Sequence, residues 1–296
     1  MEETREFVVA SELPSPASPQ PKKKPKWWNI LIDVAVVLVF VATIAASANV
    51  IYLSTAFDTP FFVNGMSMYP TLNPNAKNSR GETLGWWSGE SAIGDQVDYG
   101  YAQSLNFEKG DALQRYDVIL TYYYGDFEVD EHGDLRRDEA GKLILRNRGT
   151  SAEPKSKIKR VIGLPGETVR FEAIAPGDSE NARFRAWGKV TINPGLETAK
   201  VLEPKYTVED FEKGSSRSYN CPSESYADVT LGEHEYYVLG DNRGNSSDSR
   251  RNGAILDEMM IAKACLIVGK RTLDGSDKPG SPWEYVFTPW NYRRVE

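Results

Sequence analysis

Gly65-Met66-Ser67-Met68-Tyr69-Pro70-Thr71-Leu72 is the stretch around which the rest of this 296-residue chain is organised. It follows a long apolar run and places one serine hydroxyl between two methionines. A serine hydroxyl is a weak nucleophile until a neighbouring base takes its proton. The stretch is also typical of an ordinary turn, because Gly, Ser, Tyr-Pro and Thr are common turn residues. A catalytic interpretation therefore depends on a base elsewhere in the chain.

The apolar run before this stretch covers residues 30–57. A helix of about 20 residues spans about 30 Å, so we expect one transmembrane anchor here. A cleaved signal peptide is the alternative, because basic residues, an apolar run and Ala46-Ser47-Ala48 occur in the order of such peptides. The apolar run continues past Ala48 to Leu53, which favours a retained anchor.

Residues 1–29 are rich in proline and lysine, a composition that predicts a disordered tail. Lysines before the anchor and none close after it predict a cytoplasmic tail and an extracytoplasmic region 58–296. The tail has five basic and four acidic residues, and Asp33 cancels the difference, so the region after the anchor carries the whole formal charge of −7. This charge gives no support for nucleic-acid binding and disfavours extensive electrostatic adhesion to anionic lipid.

Short β-branched and aromatic runs dominate residues 58–296 and predict a mainly β domain. We expect strands at residues 61–63, 117–124, 157–162, 236–239 and 261–268. Residues 73–110 are rich in Gly, Asn, Asp and Ser and predict a long irregular excursion. Residues 127–145 predict a polar hairpin that turns at His132-Gly133-Asp134. We recognise no internal repeat.

The chain contains two histidines and two cysteines. His132 lies in a polar turn and His234 lies between two glutamates, so neither predicts a catalytic imidazole or a metal site. Cys221 and Cys265 lack metal-ligand spacing; they either pair outside the cytosol or remain separate buried thiols. We expect neither a metal nor another cofactor.

Four separated segments resemble the sequence boxes of the type I signal peptidases, in their Gram-positive-like branch. Residues 65–72 resemble the nucleophile box, 115–120 the strand box that follows it, 157–167 the general-base box and 240–250 the fourth box. The order of the boxes and the preceding apolar run also match, and the resemblance covers residues 58–270. It implies an antiparallel β-sheet catalytic domain, with a smaller β region inserted at about 168–235, preceded by one transmembrane helix.

The resemblance implies that Ser67 is the nucleophile and Lys159 the general base. An ordinary lysine has a pKa of about 10.4 and is protonated at neutral pH, but burial lowers that pKa. In a strand, Lys159 points away from the side taken by Ile158 and Arg160, so the lysine can face inward while the arginine faces away. Without the nucleophile box, Lys157, Lys159 and Arg160 would be interpreted as a solvated basic edge.

Further roles follow from the same resemblance. Ser246 matches a serine that hydrogen-bonds the lysine, and Asp248 and Arg250 match an ion pair that holds the loop. The N–H of Ser67 supplies one oxyanion donor. Gly65 stands where some members have a hydroxyl, so a second donor there would be backbone or water. Small pockets for the substrate's −1 and −3 side chains would be lined by Phe61, Val63, Met68, Leu72 and Ile158, although simple core packing is compatible with these residues.

Three positions depart from the family pattern. Gly244 replaces an aspartate, Tyr116 replaces a glycine, and Ala262-Lys263-Ala264 replaces a Gly-basic-Ala sequence. None of these departures removes a group that does chemistry.

The function implied is that of a bacterial, single-pass membrane serine endopeptidase. It would cleave N-terminal signal peptides from exported preproteins after small residues, beside the secretion translocon. Two alternatives stay open. The first is a catalytically inactive, membrane-tethered β domain that binds extended peptides and needs neither Ser67 nor Lys159. The second is another membrane protease with the same dyad that acts on pilin or on itself, although no self-cleavage site is identifiable.

Overall fold

The computed structural model describes residues 26–76, 82–87, 96–213, 215, 217–272 and 292–296. The chain divides into two compact units after Ala48. Each unit is described by itself below.

The apolar run forms one long helix, α1 (Lys26–Ala56). Its segment Trp27–Asn49 has a mean hydropathy of 2.6 and is long and apolar enough to cross a membrane. Large apolar side chains in this segment are exposed instead of packed into a core; Val39 and Phe40, for example, are 67% and 66% exposed. The helix fits membrane anchoring, because lipid can cover side chains that would be unfavourable in water.

The second unit is mainly antiparallel β, as expected from the sequence. Its strands are β1 (Thr59–Phe62), β2 (Gln96–Ser104), β3 (Val118–Thr121), β4 (Lys157–Gly163), β5 (Thr168–Glu172), β6 (Lys189–Ile192), β7 (Lys200–Val201), β8 (Tyr226–Thr230), β9 (Glu235–Leu239), β10 (Ile255–Leu256), β11 (Met260–Thr272) and β12 (Arg293–Arg294). Two short helices, α2 (Val208–Glu212) and α3 (Ser249–Asn252), accompany them.

The strands form two sheets. The larger sheet has eight strands in the order β1-β2-β11-β3-β4-β9-β10, with β12 paired to β11. The smaller sheet has the order β7-β6-β5-β8 and lies between β4 and β9 in the sequence. Strands β1, β3, β4, β9 and β11 confirm the five strand positions predicted from β-branched and aromatic runs. Apolar side chains of β1 and β3 share one core cluster, against which Ile158 of β4 packs, although β2 and β11 lie between β1 and β3 in the sheet.

Strand β2 corrects the prediction of an irregular excursion over residues 73–110. This strand contains Asp98 and Gly100, which are poor strand formers. Asp98 is stabilised by its backbone N–H, which donates to Asn73 Oδ1 at 2.7 Å, and by its carboxylate, which accepts from Asn73 N at 2.8 Å. At Gly100 an added Cβ would lie 2.3 Å from Leu266 O, so glycine permits the close approach of β11. Tertiary partners therefore determine this strand, and composition alone hides it.

Residues 127–145 form three isolated antiparallel bridges instead of the predicted single hairpin. The isolated bridges are Phe127–Leu145, Val129–Leu135 and Arg137–Leu143. Asp130 and Asp138 each begin a turn, because each carboxylate accepts from the backbone N–H groups two and four residues later. Gly133 and Gly141 occupy the left-handed conformation three residues after each aspartate. The expectation of no internal repeat is wrong here: the pattern Asp-Glu-x-Gly-x-Leu at residues 130–135 recurs eight residues later at 138–143.

Candidate active site

Ser67 and Lys159 come together from two different elements. Ser67 lies in the turn after β1, and Lys159 lies in β4. Lys159 Nζ donates to Ser67 Oγ at 3.0 Å and to Ile158 O at 2.9 Å. Lysine is seldom buried, yet Lys159 is only 4% exposed. The residues predicted as nucleophile and base are therefore in direct contact, and the lysine of the pair is buried.

Arg160 is as buried as its neighbour Lys159. The interpretation of these residues as a solvated basic strand edge is therefore wrong for Arg160. Its Nε and Nη2 donate to the two carboxylate oxygens of Asp241 at 2.8 and 2.7 Å, and both side chains are fully buried. Burial opposes the charge of the guanidinium, but the charge and hydrogen bonds of Asp241 outweigh it and raise the pKa of Arg160. This ion pair ties β4 to the loop after β9.

Residues 240–248 of that loop pack directly against Ser67. Ser67 O accepts a hydrogen bond from Asn242 N at 3.0 Å. An added Cβ at Gly240 would lie 2.5 Å from Ser67 O and 2.2 Å from Ser246 Oγ. Glycine at this position is therefore what allows the loop to reach the nucleophile.

Ser246 differs from its predicted role. Its Oγ is buried and has no hydrogen-bond partner in the part of the chain that the structure describes. The expected bond to Lys159 is not formed; Lys159 Nζ donates to Ser67 Oγ and to Ile158 O. Ser246 nevertheless lines the same cleft as both of them.

Asp248 and Arg250 form a buried ion pair at the end of this loop. Asp248 accepts from Arg250 Nε and Nη2 at 2.7 and 2.8 Å, and from Gly240 N at 3.0 Å. Burial acts to raise the pKa of Asp248, but the hydrogen bonds and charge of Arg250 hold it below the ordinary 3.8. Since Asp248 binds both Arg250 and Gly240, the pair fixes the loop that contacts Ser67.

A cleft of about 1530 Å³ contains Ser67 and Lys159. Three of the residues predicted to bind substrate, Phe61, Val63 and Ile158, line it. The other two, Met68 and Leu72, do not. Both are fully buried in the apolar cluster that includes Phe61 and Val63, so they support the cleft from the core and cannot touch a substrate there.

Gly65 lines the cleft two residues before Ser67. An added Cβ at this position would meet nothing within 4 Å. The absence of a side chain therefore leaves space beside the nucleophile. Gly65 O accepts from Asn73 Nδ2 at 3.1 Å, which holds the backbone at this point.

Two further residues shape the site and were missed as contributors by sequence reasoning. Asn73 is 1% exposed, and its Nδ2 also donates to Val63 O at 2.7 Å, so it holds the chain that leads to Ser67. Its only sequence signal is its place directly after the nucleophile box. Tyr116 has a φ of 78°, a conformation that favours glycine and explains why the family pattern has glycine there. Tyr116 O accepts from Arg160 Nη1 at 2.7 Å.

Within the described residues, no three His, Cys, Asp or Glu side chains are grouped to hold a metal ion. Cys221 and Cys265 are both free and half-buried, so of the two states left open by the sequence the structure has separate thiols.

The family described as signal peptidase, peptidase S26, matches residues 32–269, and this chain belongs to that family. Its sequence is similar to signal peptidase I of Bacillus amyloliquefaciens, with 30% identity over 122 residues, 41% of this chain and 53% of that protein. Signal peptidase I S of Bacillus subtilis is 30% identical over 105 residues, 36% of this chain and 47% of that protein. The chain thus spans about half the length of these relatives.

The alignments with two other relatives cover almost the whole length of those relatives. Signal peptidase IB of Staphylococcus aureus is 23% identical over 270 residues, which is 91% of this chain and 98% of that protein. The crystal structure of a signal peptidase I from Enterococcus faecalis aligns at 22% identity with a TM-score of 0.29, over 52% of this chain and 97% of that one.

Proposed function

We propose that this protein is a membrane-bound serine endopeptidase that removes N-terminal signal peptides from exported preproteins, with Ser67 as nucleophile and Lys159 as general base. The observation that carries the proposal is the 3.0 Å contact between Lys159 Nζ and Ser67 Oγ, made by a buried lysine inside a cleft. Membership of the signal peptidase family supports the choice of substrate.

The contact suits a two-step acyl transfer. Neutral Lys159 takes the proton of Ser67 Oγ while that oxygen attacks the carbonyl carbon of the scissile bond. The protonated lysine then gives the proton to the leaving amine, which becomes the new N-terminus of the mature protein. Lys159 next takes a proton from water as the water oxygen attacks the ester carbonyl carbon. It gives that proton to Ser67 Oγ as the carbon–Oγ bond breaks, which releases the signal peptide and restores the free serine. A serine–lysine pair is a known variant of the serine–histidine arrangement.

Lysine can act as a base only in its neutral form. Burial disfavours the ammonium because its hydration is lost, and Lys159 is only 4% exposed. Apolar side chains of Leu120 and Ile158 line the same cleft.

The oxyanion of the tetrahedral intermediate needs preorganised donors. The backbone N–H of Ser67 is one. Open space beside Gly65 leaves room for a water molecule as the second, since no side chain fills this position.

The apolar part of the cleft supports a preference for small residues at −1 and −3. An extended substrate places alternate side chains on one face, so −1 and −3 point the same way and −2 points outward. Phe61, Val63 and Ile158 offer apolar contacts to that face. Main-chain hydrogen bonding to a strand would hold the substrate with little dependence on its sequence.

The anchor would keep the active site close to the membrane. The ten residues from Phe57 to Ser67 reach at most about 35 Å when extended. A cytoplasmic tail, an extracytoplasmic catalytic domain and action beside the translocon complete the proposal, and the lysines before α1 support this orientation.

Cleavage of a purified preprotein in detergent tests the proposal. We expect Ser67→Ala and Lys159→Ala to abolish processing while the protein stays folded. Lys159→Arg should also be inactive, because a guanidinium does not lose its proton in proteins. Lys263→Ala is a matched control, since this partly exposed lysine pairs with Asp117 away from the cleft. Wild-type turnover by folded Ser67→Ala would refute Ser67 as the nucleophile, whereas peptide binding without any cleavage by the wild-type protein would favour the non-catalytic alternative.

A further inference from the structure

Residues 219–224 form a wall of the cleft that the proposed chemistry does not use. They lie between α2 and β8, in the region inserted between β4 and β9. Residues 220–224 line the same cleft as Ser67 and Lys159. The wall is thus contributed by a part of the chain distant in sequence from the nucleophile and the base.

Tyr219 fixes this wall in place. Its ring stacks on Phe211 with centroids 4.0 Å apart, and its backbone N–H donates to Glu212 Oε1 at 2.9 Å. Its hydroxyl accepts from Gly244 N at 2.9 Å. Since Tyr219 is only 7% exposed, these contacts form a rigid base for the residues that follow it.

Gly244 allows the wall to lie directly on the loop that contacts Ser67. An added Cβ at Gly244 would lie 1.6 Å from Asn220 O. No other residue, including the aspartate of the family pattern, fits at this position without moving the wall. The departure seen in the sequence therefore has a structural consequence: the backbone of Asn220 occupies the space of a side chain.

The cleft that contains Ser67 is lined by groups of different chemistry. Phe61, Val63 and Ile158 are apolar lining residues. Residues 220–224 and 243–247 also line it, and most of them carry amide, hydroxyl or charged side chains. Ser67 O accepts a hydrogen bond from Asn242 N, directly before residues 243–247.

We propose that residues 220–224 bind the first residues of the mature chain, on the other side of the scissile bond from −1 and −3. This inference rests on the proposed function. A substrate held extended across Ser67, with −1 and −3 against Phe61, Val63 and Ile158, would continue past the scissile bond toward residues 220–224 at about 3.3 Å per residue. A wall that offers backbone, amide and hydroxyl groups suits mature chains with no fixed sequence, because main-chain contacts do not depend on side chains.

The two cysteines provide a probe and an internal control. Cys221 lies in the wall, whereas Cys265 lies in β11 and does not line this cleft. Both are half-buried, and burial raises the pKa of both thiols. Their alkylation can therefore be compared within one molecule.

The experiment uses the full chain with Ser67→Ala, in detergent, so that bound peptide is not cleaved. One peptide spans the cleavage site and extends into the mature region; the second ends at −1. Fluorescence anisotropy gives the Kd of each peptide, and mass spectrometry follows N-ethylmaleimide addition at each cysteine. At ten times its Kd, the extended peptide should slow alkylation of Cys221 about tenfold. Cys265 should be unaffected, and the shorter peptide should protect neither.

The outcomes separate this inference from the proposed function. Equal protection of Cys221 by both peptides would place the wall on the signal-peptide side and overturn the inference. Binding of the extended peptide without protection of Cys221 would also overturn it. Failure of both peptides to bind would contradict the proposed function itself, and the inference with it.

Discussion

Gly240→Ala should slow preprotein cleavage about 100-fold without unfolding the protein. The new methyl group would lie 2.5 Å from Ser67 O, about 0.9 Å short of ordinary van der Waals contact at 3.4 Å. Ser67 O belongs to the backbone, so the backbone of Ser67, the proposed nucleophile, is displaced when room is made for the methyl group. A displacement of about 1 Å in reacting groups costs about 10²-fold in rate, or about 2.7 kcal/mol of transition-state stabilisation.

The assay is kcat/KM for one preprotein, with circular dichroism to verify folding. Gly125→Ala is a matched control, because the nearest atom to its new methyl group is the end of the Arg146 side chain at 3.5 Å. We expect the control to cleave at the wild-type rate. A folded Gly240→Ala protein that also cleaves at the wild-type rate would refute the argument that this glycine positions Ser67.

Four further predictions concern stability and specificity. Asp241→Asn removes the charge that faces buried Arg160, and urea unfolding should show a loss of about 3 to 5 kcal/mol; an unchanged midpoint would contradict this. The folded-state pKa of Asp248 lies below 3.8. The contribution of its carboxylate to the free energy of unfolding is therefore full above pH 3.8 and is lost as the pH falls through the folded-state pKa. The free energy of unfolding of Asp248→Asn, measured between pH 3 and 7, should therefore decrease less toward acid pH than that of the wild-type protein. The same pH dependence in both proteins would contradict this prediction. Gly65→Ser should stay active in the cleavage assay, since a Cβ there meets nothing within 4 Å, and inactivity would contradict the open space at this position. Ile158→Ala should admit larger residues at −1 or −3 in a peptide series; loss of activity without broadening would show that Ile158 does not line those pockets.

The strands that position the dyad were predictable because their sequence signal is local. Strands β1 and β4 are rich in aromatic or β-branched residues. Strand β1 precedes Ser67, and strand β4 contains Lys159. Strand β2 has Val97, Tyr99 and Tyr101 at alternate positions, but Asp98 and Gly100 between them weaken this signal. Those two residues are placed in the strand by Asn73 and by the backbone of β11. Pairing across many residues of sequence is not visible in the composition of a single segment.

The sequence predicted which residues lie at the site better than it predicted the contacts that those residues make. Ser67 and Lys159 were identified by resemblance, and the structure brings them together. Ser246 lies nearby without the expected hydrogen bond, because a serine hydroxyl shows its partner only in three dimensions. Met68 and Leu72 follow Ser67 closely in sequence, but the turn directs them into the core.

Detection of the acyl-enzyme tests the pairing of Ser67 with Lys159 most directly. Wild-type protein quenched during turnover of a peptide substrate should carry the N-terminal half of that peptide as an ester. Digestion and mass spectrometry should place the ester on Ser67, and Lys159→Ala should show none. An adduct on another residue, or undiminished acylation of Ser67 in Lys159→Ala, would contradict the assignment of nucleophile and base.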